Sequence, residues 1–202
     1  MAVAAITSEP QGPLSQSQQQ EVAAANDRAR KIRKAAGVAG FNGWATGIIA
    51  ACSAPFAMFS LPGLFVTAGL AVVAYNEFRG RRRLLQFDQG APAFLGWNQV
   101  GFLLLITAYC LWMLVLGMTN EGPFAAELKA QPELSSVFGS AEEFDQSYRI
   151  LIAVFYGMVI ALSAVFQGLN AIYYFTRRKL VKAYVQETPA WVLDLQHLTS
   201  ST

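Results

Sequence analysis

The chain has 202 residues, of which 54% are hydrophobic and 14% charged, and its formal net charge is +2. This length fits a single domain. The apolar residues form long uncharged blocks, which excludes an ordinary soluble protein and indicates a membrane protein. The small net charge predicts no nucleic-acid partner, because proteins that bind nucleic acids concentrate basic residues on one folded face.

Two segments precede the first apolar run. Residues 1–25 are rich in Gln, Ser, Ala and Pro and lack the pattern of a signal peptide, so we predict a disordered tail. Residues 26–39 are predicted to form a basic juxtamembrane segment, helical and lying at the membrane surface. Its basic residues fix the orientation of the chain or, alternatively, attract anionic lipids. These residues are Arg28, Arg30, Lys31, Arg33 and Lys34.

The first apolar run contains no charged residue from Phe41 to Tyr75, a stretch of 35 residues. One helix needs only about 20 residues to cross a hydrocarbon core of about 30 Å. We therefore predict two transmembrane spans, at about 40–59 and 62–78, joined by a tight reversal.

The reversal is predicted at Pro62-Gly63, which Ser60 precedes. This pair is typical of a turn, and proline is well tolerated at the first position of a helix. Pro55 is expected to kink the first span, because proline removes one backbone hydrogen bond.

The first span also carries a small-residue motif, Gly43-x-x-x-Gly47. Such a motif lets another helix approach closely. We predict packing against a neighbouring span of the same chain, with dimerisation as the alternative.

A basic, amphipathic connector at about 77–96 leads into a third span at about 97–118. Trp97 lies at the edge of this span, where aromatic rings anchor at headgroup level. Asn98 and Gln99 open the span, and we predict that they contact water at the helix end rather than form a site. The arginines of the connector are Arg79, Arg81, Arg82 and Arg83.

Residues 119–147 form the one sizeable loop, which carries six carboxylates and only Lys129 as a basic residue. The spacing of the carboxylates matches no calcium-binding loop, so we predict a solvated acidic face and no metal. The carboxylates are Glu121, Glu127, Glu133, Glu142, Glu143 and Asp145.

The fourth span is predicted at about 149–176, at the end of a helix that begins at Ala141. Ser140 and Glu143 have the spacing of a capping box, in which each side chain accepts a hydrogen bond from a free backbone N–H of the other.

Three polar residues of this span, Ser163, Gln167 and Asn170, follow helical spacing and share one face. We predict that this face points into the helix bundle, where polar side chains find partners. A polar pathway for a substrate is the alternative.

The chain closes with a basic, amphipathic segment at 177–202. Thr188 and Pro189 predict the start of a short helix that ends near Leu198 and lies in the membrane interface. The basic residues of the segment are Arg177, Arg178, Lys179 and Lys182. The apolar residues on one side of the short helix are Trp191, Leu195 and Leu198.

Residues 74–99 resemble residues 171–196 when the two stretches are aligned without gaps. Seven of the 26 aligned pairs are identical. A duplication would explain the match, and so would convergence of two similar membrane edges; each unit would be a hairpin with a basic connector. The identical pairs are Ala74/Ala171, Phe78/Phe175, Arg81/Arg178, Gln89/Gln186, Pro92/Pro189, Ala93/Ala190 and Gln99/Gln196.

The distribution of basic residues predicts the orientation. Of the 15 lysines and arginines, all except Lys129 and Arg149 lie on one side of a four-span arrangement. Basic residues favour the cytoplasmic side, so both termini are expected in the cytoplasm. The short connections and the lack of a targeting peptide favour the plasma membrane.

Residues with the chemistry of an active site are scarce. Cys52 and Cys110 lie in apolar runs, where cysteine behaves as a small hydrophobe, and His197 is the only histidine. We expect no enzyme and no cofactor. No Asp, Glu, Lys, Arg or His was assigned to the interior of a span, which weighs against a pump or an ion-coupled transporter.

We therefore expect an all-α integral membrane protein with four transmembrane helices as two hairpins, an amphipathic cytoplasmic connector and a C-terminal helix. Its basic cytoplasmic segments would make it an interaction or scaffold protein that contacts anionic lipids or a membrane-protein partner. One alternative is a small channel or transporter formed as a homo-oligomer, and another is an accessory subunit of a membrane enzyme complex.

Overall fold

The structure is a computed structural model that describes residues 14–57, 59–122, 127, 130 and 140–200, with side chains up to Gln196. The chain is all-helical, as predicted, and the described residues contain no strand. Four of the five helices in these ranges are long and apolar enough to cross a membrane. The helices are α1 Gln16–Ala57, α2 Leu61–Leu85, α3 Ala91–Thr119, α4 Ala141–Glu187 and α5 Ala190–Ser200.

The four apolar helices correspond in order to the four predicted spans. α1 packs mainly against α2 and α3 mainly against α4, with further contact between α2 and α3. α1 and α4 have 42 and 47 residues. At about 1.5 Å per residue they are roughly twice as long as a hydrocarbon core of about 30 Å is thick. Both helices therefore extend well beyond their apolar parts.

The first helix begins earlier than predicted. Ser15 and Gln18 form a capping box, in which the Gln18 N–H donates to Ser15 Oγ (3.3 Å) and the Ser15 N–H donates to Gln18 Oε1 (2.9 Å). α1 starts at Gln16, so the prediction of a disordered tail was wrong for residues 16–25. Gln, Glu and Ala are good helix formers, and the cap satisfies the first backbone donors. Residues 1–13 lie outside the described ranges.

The N-terminal half of α1 is part of a packed core, while the location of residues 26–39 at the membrane surface stays a prediction. Buried residues recur every three or four positions, and this stripe of mostly alanines shares one cluster with the end of α2, the start of α3, the C-terminal half of α4 and α5. Small side chains let the helices approach closely. We call these buried residues the helical core: Ala25, Ala29, Ile32, Ala35, Ala36, Ala39, Leu84, Phe87, Ala91, Leu95, Tyr174, Val181, Tyr184 and Val192.

The other halves of α1–α4 have the opposite character, because their large apolar side chains are exposed. Together they form a wide apolar surface with no protein covering it in the described chain. Surfaces of this size mark contact with a membrane or with another protein. Representative side chains are Phe41, Ile48, Phe65, Leu104, Val154 and Phe166.

The chain turns between α1 and α2 next to Pro62, as predicted, and Ser60 caps the second helix. Ser60 is the N-cap residue of α2, and its Oγ accepts a hydrogen bond from the Gly63 N–H at 3.1 Å. Pro62 lies in the first turn, where the missing N–H costs nothing. α1 continues through Pro55 to Ala57, and the kink remains a prediction.

The capping box of α4 is also present as predicted. The Glu143 N–H donates to Ser140 Oγ (3.2 Å), and the Ser140 N–H donates to Glu143 Oε2 (3.3 Å). At the other end of α4, Thr188 is the C-cap residue rather than the predicted N-cap of the next helix. The last helix, α5, begins directly after Pro189.

α5 contacts other parts of the chain, and its location in the membrane interface stays a prediction. Val192 is buried in the helical core. Trp191 is half-buried, and its indole N–H donates to Glu21 at the start of α1 at 3.1 Å. Leu195 is exposed, and the side chain of Leu198 lies outside the described ranges.

The end of α2 contains an unusual backbone conformation. Phe87 has a φ of 56° in the left-handed region, and it occupies the position where glycine usually ends a helix. The Asp88 N–H donates to Arg83 O and the Phe87 N–H donates to Leu84 O, both at 3.0 Å, which is the Schellman pattern. The Phe87 ring stacks on Tyr184 with 4.4 Å between the ring centroids. We infer that stacking of the Phe87 ring on Tyr184 offsets the free-energy cost of the left-handed backbone at Phe87.

We expect Phe87→Gly to lower stability less than Phe87→Ala, by about 1 kcal/mol. Both changes remove the ring, but only glycine adopts the left-handed conformation without strain. Thermal unfolding of the two variants in detergent measures the difference. At Phe166, an exposed helical position of α4, the order should reverse, because glycine costs about 1 kcal/mol against alanine inside a helix. A Phe87→Gly variant less stable than Phe87→Ala would contradict the role of the backbone.

Candidate functional site

The centre of the candidate site is Glu77, a fully buried carboxyl group on α2 with 0% of its surface exposed. It lies where the uncharged part of α2 meets its arginine-rich end. A buried carboxyl group needs hydrogen-bond partners, because an unsatisfied polar group is costly in an apolar interior.

Three side chains from two other helices supply these partners. Oε1 of Glu77 accepts hydrogen bonds from Asn98 Nδ2 at 2.7 Å and from Gln99 Nε2 at 2.9 Å. The other oxygen, Oε2, accepts one from the Tyr174 hydroxyl at 3.2 Å. Glu77 therefore links α2 to α3 and α4.

Further hydrogen bonds extend the site to α1. Asn42 Nδ2 donates to the Tyr174 hydroxyl at 3.2 Å, and Asn76 Nδ2 donates to Asn98 Oδ1 at 3.1 Å. Asn98 Nδ2 also lies 3.2 Å from Val73 O. We call this set the Glu77 network: Asn42, Asn76, Glu77, Asn98, Gln99 and Tyr174.

The Glu77 network joins all four apolar helices at one level. A fully hydrogen-bonded polar network inside an apolar bundle rigidifies it and specifies one arrangement, because sliding or rotating a helix would leave buried groups unpaired. The network is therefore suited to fixing the position of the helical core relative to the exposed apolar halves of α1–α4.

This network was not predicted from the sequence. Asn98 and Gln99 are 9% and 2% exposed, so the prediction that they contact water was wrong. Glu77 lies where the predicted second span and the predicted connector overlap, so its burial was not expected. The available signal was the presence of adjacent polar pairs, Asn76-Glu77 and Asn98-Gln99, at the facing ends of two successive spans.

The glycine motif of α1 lies beside the network. A Cβ atom added to Gly43 would approach Glu77 Cβ to 3.2 Å and the Phe78 ring to 3.1 Å. One added to Gly47 would lie 3.8 Å from Ala74 Cβ. The motif thus faces α2 of the same chain, and Gly43 allows the close approach of the two helices.

The three residues of the predicted polar face of α4 form no described hydrogen bond with the Glu77 network. Ser163, Gln167 and Asn170 are all half-buried. The buried Oε1 of Gln167 has no hydrogen-bond partner among the described residues. The pathway hypothesis for this face remains a prediction.

The arginines and lysines predicted to contact lipid lie on α2 and α4, a few residues beyond Glu77 and Tyr174 in sequence. Most are exposed, whereas Arg83 and Arg177 are half-buried. Arg83 Nε donates to Asp88 at 2.8 Å, and Arg177 Cζ lies 4.4 Å from the centroid of the Tyr173 ring. We call this set the basic collar: Arg79, Arg81, Arg82, Arg83, Arg177, Arg178, Lys179 and Lys182.

Asp88 anchors the collar at the turn between α2 and α3. Its carboxylate accepts hydrogen bonds from Arg83 Nε (2.8 Å) and from the Gly90 N–H (2.7 Å). Burial acts to raise the pKa of Asp88, but Arg83 and the Gly90 N–H outweigh burial and hold this pKa below its ordinary value. Arg83 is thus engaged in the turn, whereas Arg81 and Arg82 are exposed.

One aromatic contact occurs twice at this level of the bundle. Trp44 of α1 meets Phe78 of α2 edge-on, with ring centroids 5.7 Å apart. Trp97 of α3 meets Phe175 of α4 in the same way at 5.9 Å. Each tryptophan follows a glycine, and the two phenylalanines are an identical pair in the alignment of 74–99 with 171–196.

Comparison with known proteins assigns the chain to no family. No protein-family model, curated protein or solved structure matches it. A proposal for its function therefore rests on the geometry of its own residues.

Proposed function

We propose that this chain is a non-enzymatic, multi-pass protein of the plasma membrane that binds anionic lipid headgroups through its basic collar. In this proposal α1–α4 cross the bilayer as two hairpins, α1 with α2 and α3 with α4, and both termini are cytoplasmic. The helical core then projects into the cytoplasm as a folded platform for a protein partner.

The observation that carries the proposal is the position of the collar. Its exposed arginines and lysines lie at the junction between the apolar surface of α1–α4 and the helical core. Headgroups meet a membrane protein at such a junction. Basic residues there attract anionic lipids with about 1 kcal/mol each.

The basic residues differ in their distance from the proposed membrane surface. Arg30 and Lys31 lie about ten residues before Gly40, the residue of α1 that lies beside Arg81, which corresponds to roughly 15 Å along a helix. This distance exceeds the Debye length of about 8 Å at physiological salt, so their attraction to the membrane surface is largely screened. Arg81 and Arg82 lie about one helical turn from Glu77 and are not screened in this way.

The test compares two double variants of equal charge change. Arg81→Gln with Arg82→Gln should lower the preference for anionic over zwitterionic lipid by about 30-fold, which corresponds to about 1 kcal/mol for each residue. Arg30→Gln with Lys31→Gln should change it by less than about twofold. Spin-labelled lipids of both kinds, added to the reconstituted protein, measure the preference. Arg83 is left unchanged because it holds Asp88.

Two results would contradict the proposal. An unchanged preference in the Arg81/Arg82 variant would show that the collar does not select lipid. An equal loss in both variants would show an effect of net charge alone, without a role for position.

A further inference from the structure

An open groove of about 530 Å³ runs between α2 and α3 on the outside of the bundle. Its volume lies in the range of small-molecule sites, about 300–1,000 Å³. Most of its lining is apolar. Representative lining residues are Phe65, Val72, Phe94, Trp97, Gly101 and Leu105.

The two ends of the groove differ in chemistry. From Phe65 to Asn76 the lining face of α2 extends for about 16 Å. The amides of Asn76 and Asn98 lie at the end nearer the collar. Beyond them the same face of α2 continues to Arg79 and Arg83, at helical spacings of three and seven residues.

Both arginines lie close to the wall of the groove. Arg79 Cζ is 5.9 Å and Arg83 Cζ is 5.2 Å from the centroid of the Phe94 ring, which lines it. Arg83 is paired with Asp88, whereas Arg79 is exposed. Arg79 is therefore the cation available to an anion at the end of the groove.

We propose that this groove binds one anionic phospholipid, with an acyl chain between α2 and α3 and the phosphate at Arg79. The proposal rests on the membrane orientation given above and adds a discrete site to it. An apolar groove that ends in amides and a guanidinium matches a molecule with a hydrocarbon tail and a negative head. Basic pockets between membrane helices on the cytoplasmic side are a known means of holding anionic headgroups.

Gly101 leaves the groove open. A Cβ atom added there meets nothing within 4 Å, so a larger side chain can extend into the groove without displacing a neighbour. Gly157 on α4 has equally free space but lies outside the groove. The two glycines therefore allow the same substitution inside and outside the proposed site.

The experiment is native mass spectrometry of the full chain purified in mild detergent from membranes that contain anionic and zwitterionic phospholipids. The wild-type chain and Gly157→Phe should retain one anionic phospholipid per chain. Gly101→Phe should retain at least fivefold less. Arg79→Gln should retain lipid but lose the preference for anionic over zwitterionic headgroups, while Arg30→Gln, outside the basic collar, should keep it.

Equal lipid retention by Gly101→Phe and Gly157→Phe would overturn the proposal. So would a wild-type dimer without lipid that Gly101→Phe converts to a monomer, because a second copy of the chain would then occupy the groove. Failure of the collar proposal is distinguishable. In that case the Arg81/Arg82 variant shows no change in the spin-label measurement, whichever way the Gly101 comparison turns out.

Discussion

Replacing Glu77 with alanine should lower the free energy of unfolding by about 3–5 kcal/mol. The substitution leaves the donors of Asn98, Gln99 and Tyr174 buried without their acceptor. A buried donor that loses its partner costs about 1–3 kcal/mol, and the losses are not additive within one network. Because the network joins four helices, the bundle should loosen at several contacts together.

A second variant, Glu77→Gln, tests whether the loss of stability follows the loss of hydrogen-bond acceptors at residue 77. Glu77→Gln keeps one acceptor oxygen for Asn98 and Gln99 but places an amide donor against the Tyr174 hydroxyl. It should therefore lie between the wild type and Glu77→Ala. Chemical unfolding in detergent, followed by circular dichroism, measures all three.

The control for this series is Glu187→Ala. Glu187 is an exposed acid whose ion pair with Arg28, at 3.5 Å, is expected to contribute at most about 1 kcal/mol. If Glu77→Ala destabilises the protein no more than Glu187→Ala, the network does not hold the helices together.

Replacing Ile32 with alanine should lower the free energy of unfolding by about 2–5 kcal/mol. Ile32 is 1% exposed in the helical core, so the change removes buried apolar atoms and leaves a cavity. The prediction tests the finding that the N-terminal half of α1 packs against the rest of the chain.

The matched control lies on the same helix. Ile48 is 57% exposed on the apolar surface, where detergent or lipid replaces the removed atoms. Ile48→Ala should therefore change stability by less than about 1 kcal/mol. Thermal unfolding of the two variants gives the comparison. Equal effects at the two positions would mean that residues 26–39 do not pack into a core.

Features set by neighbouring residues could be predicted from the sequence. The long uncharged runs indicated helices, and the short-range patterns at Ser60 and Ser140 located two helix starts. These signals involve residues only three positions apart, such as Ser140 and Glu143. A capping box needs no knowledge of the rest of the fold.

Features that depend on distant residues could not be predicted in this way. Residues 16–25 read as a tail, yet Glu21 accepts a hydrogen bond from Trp191, 170 positions away. Glu77 and Tyr174 are separated by 97 positions. Polar residues at the end of an apolar run favour contact with water unless another helix covers them, and the sequence does not say which helix does.

The register that aligns residues 74–99 with 171–196 also aligns two pairs that touch. Glu77 corresponds to Tyr174, its hydrogen-bond partner, and Phe87 corresponds to Tyr184, on which it stacks. In a pair of identical chains, corresponding positions touch each other where they lie on the two-fold axis. Identical chains would place a carboxyl against a carboxyl, or a hydroxyl against a hydroxyl, at the first of these positions. The carboxyl–hydroxyl pair observed here consists of two different residues, which one continuous chain supplies and a dimer of identical halves does not.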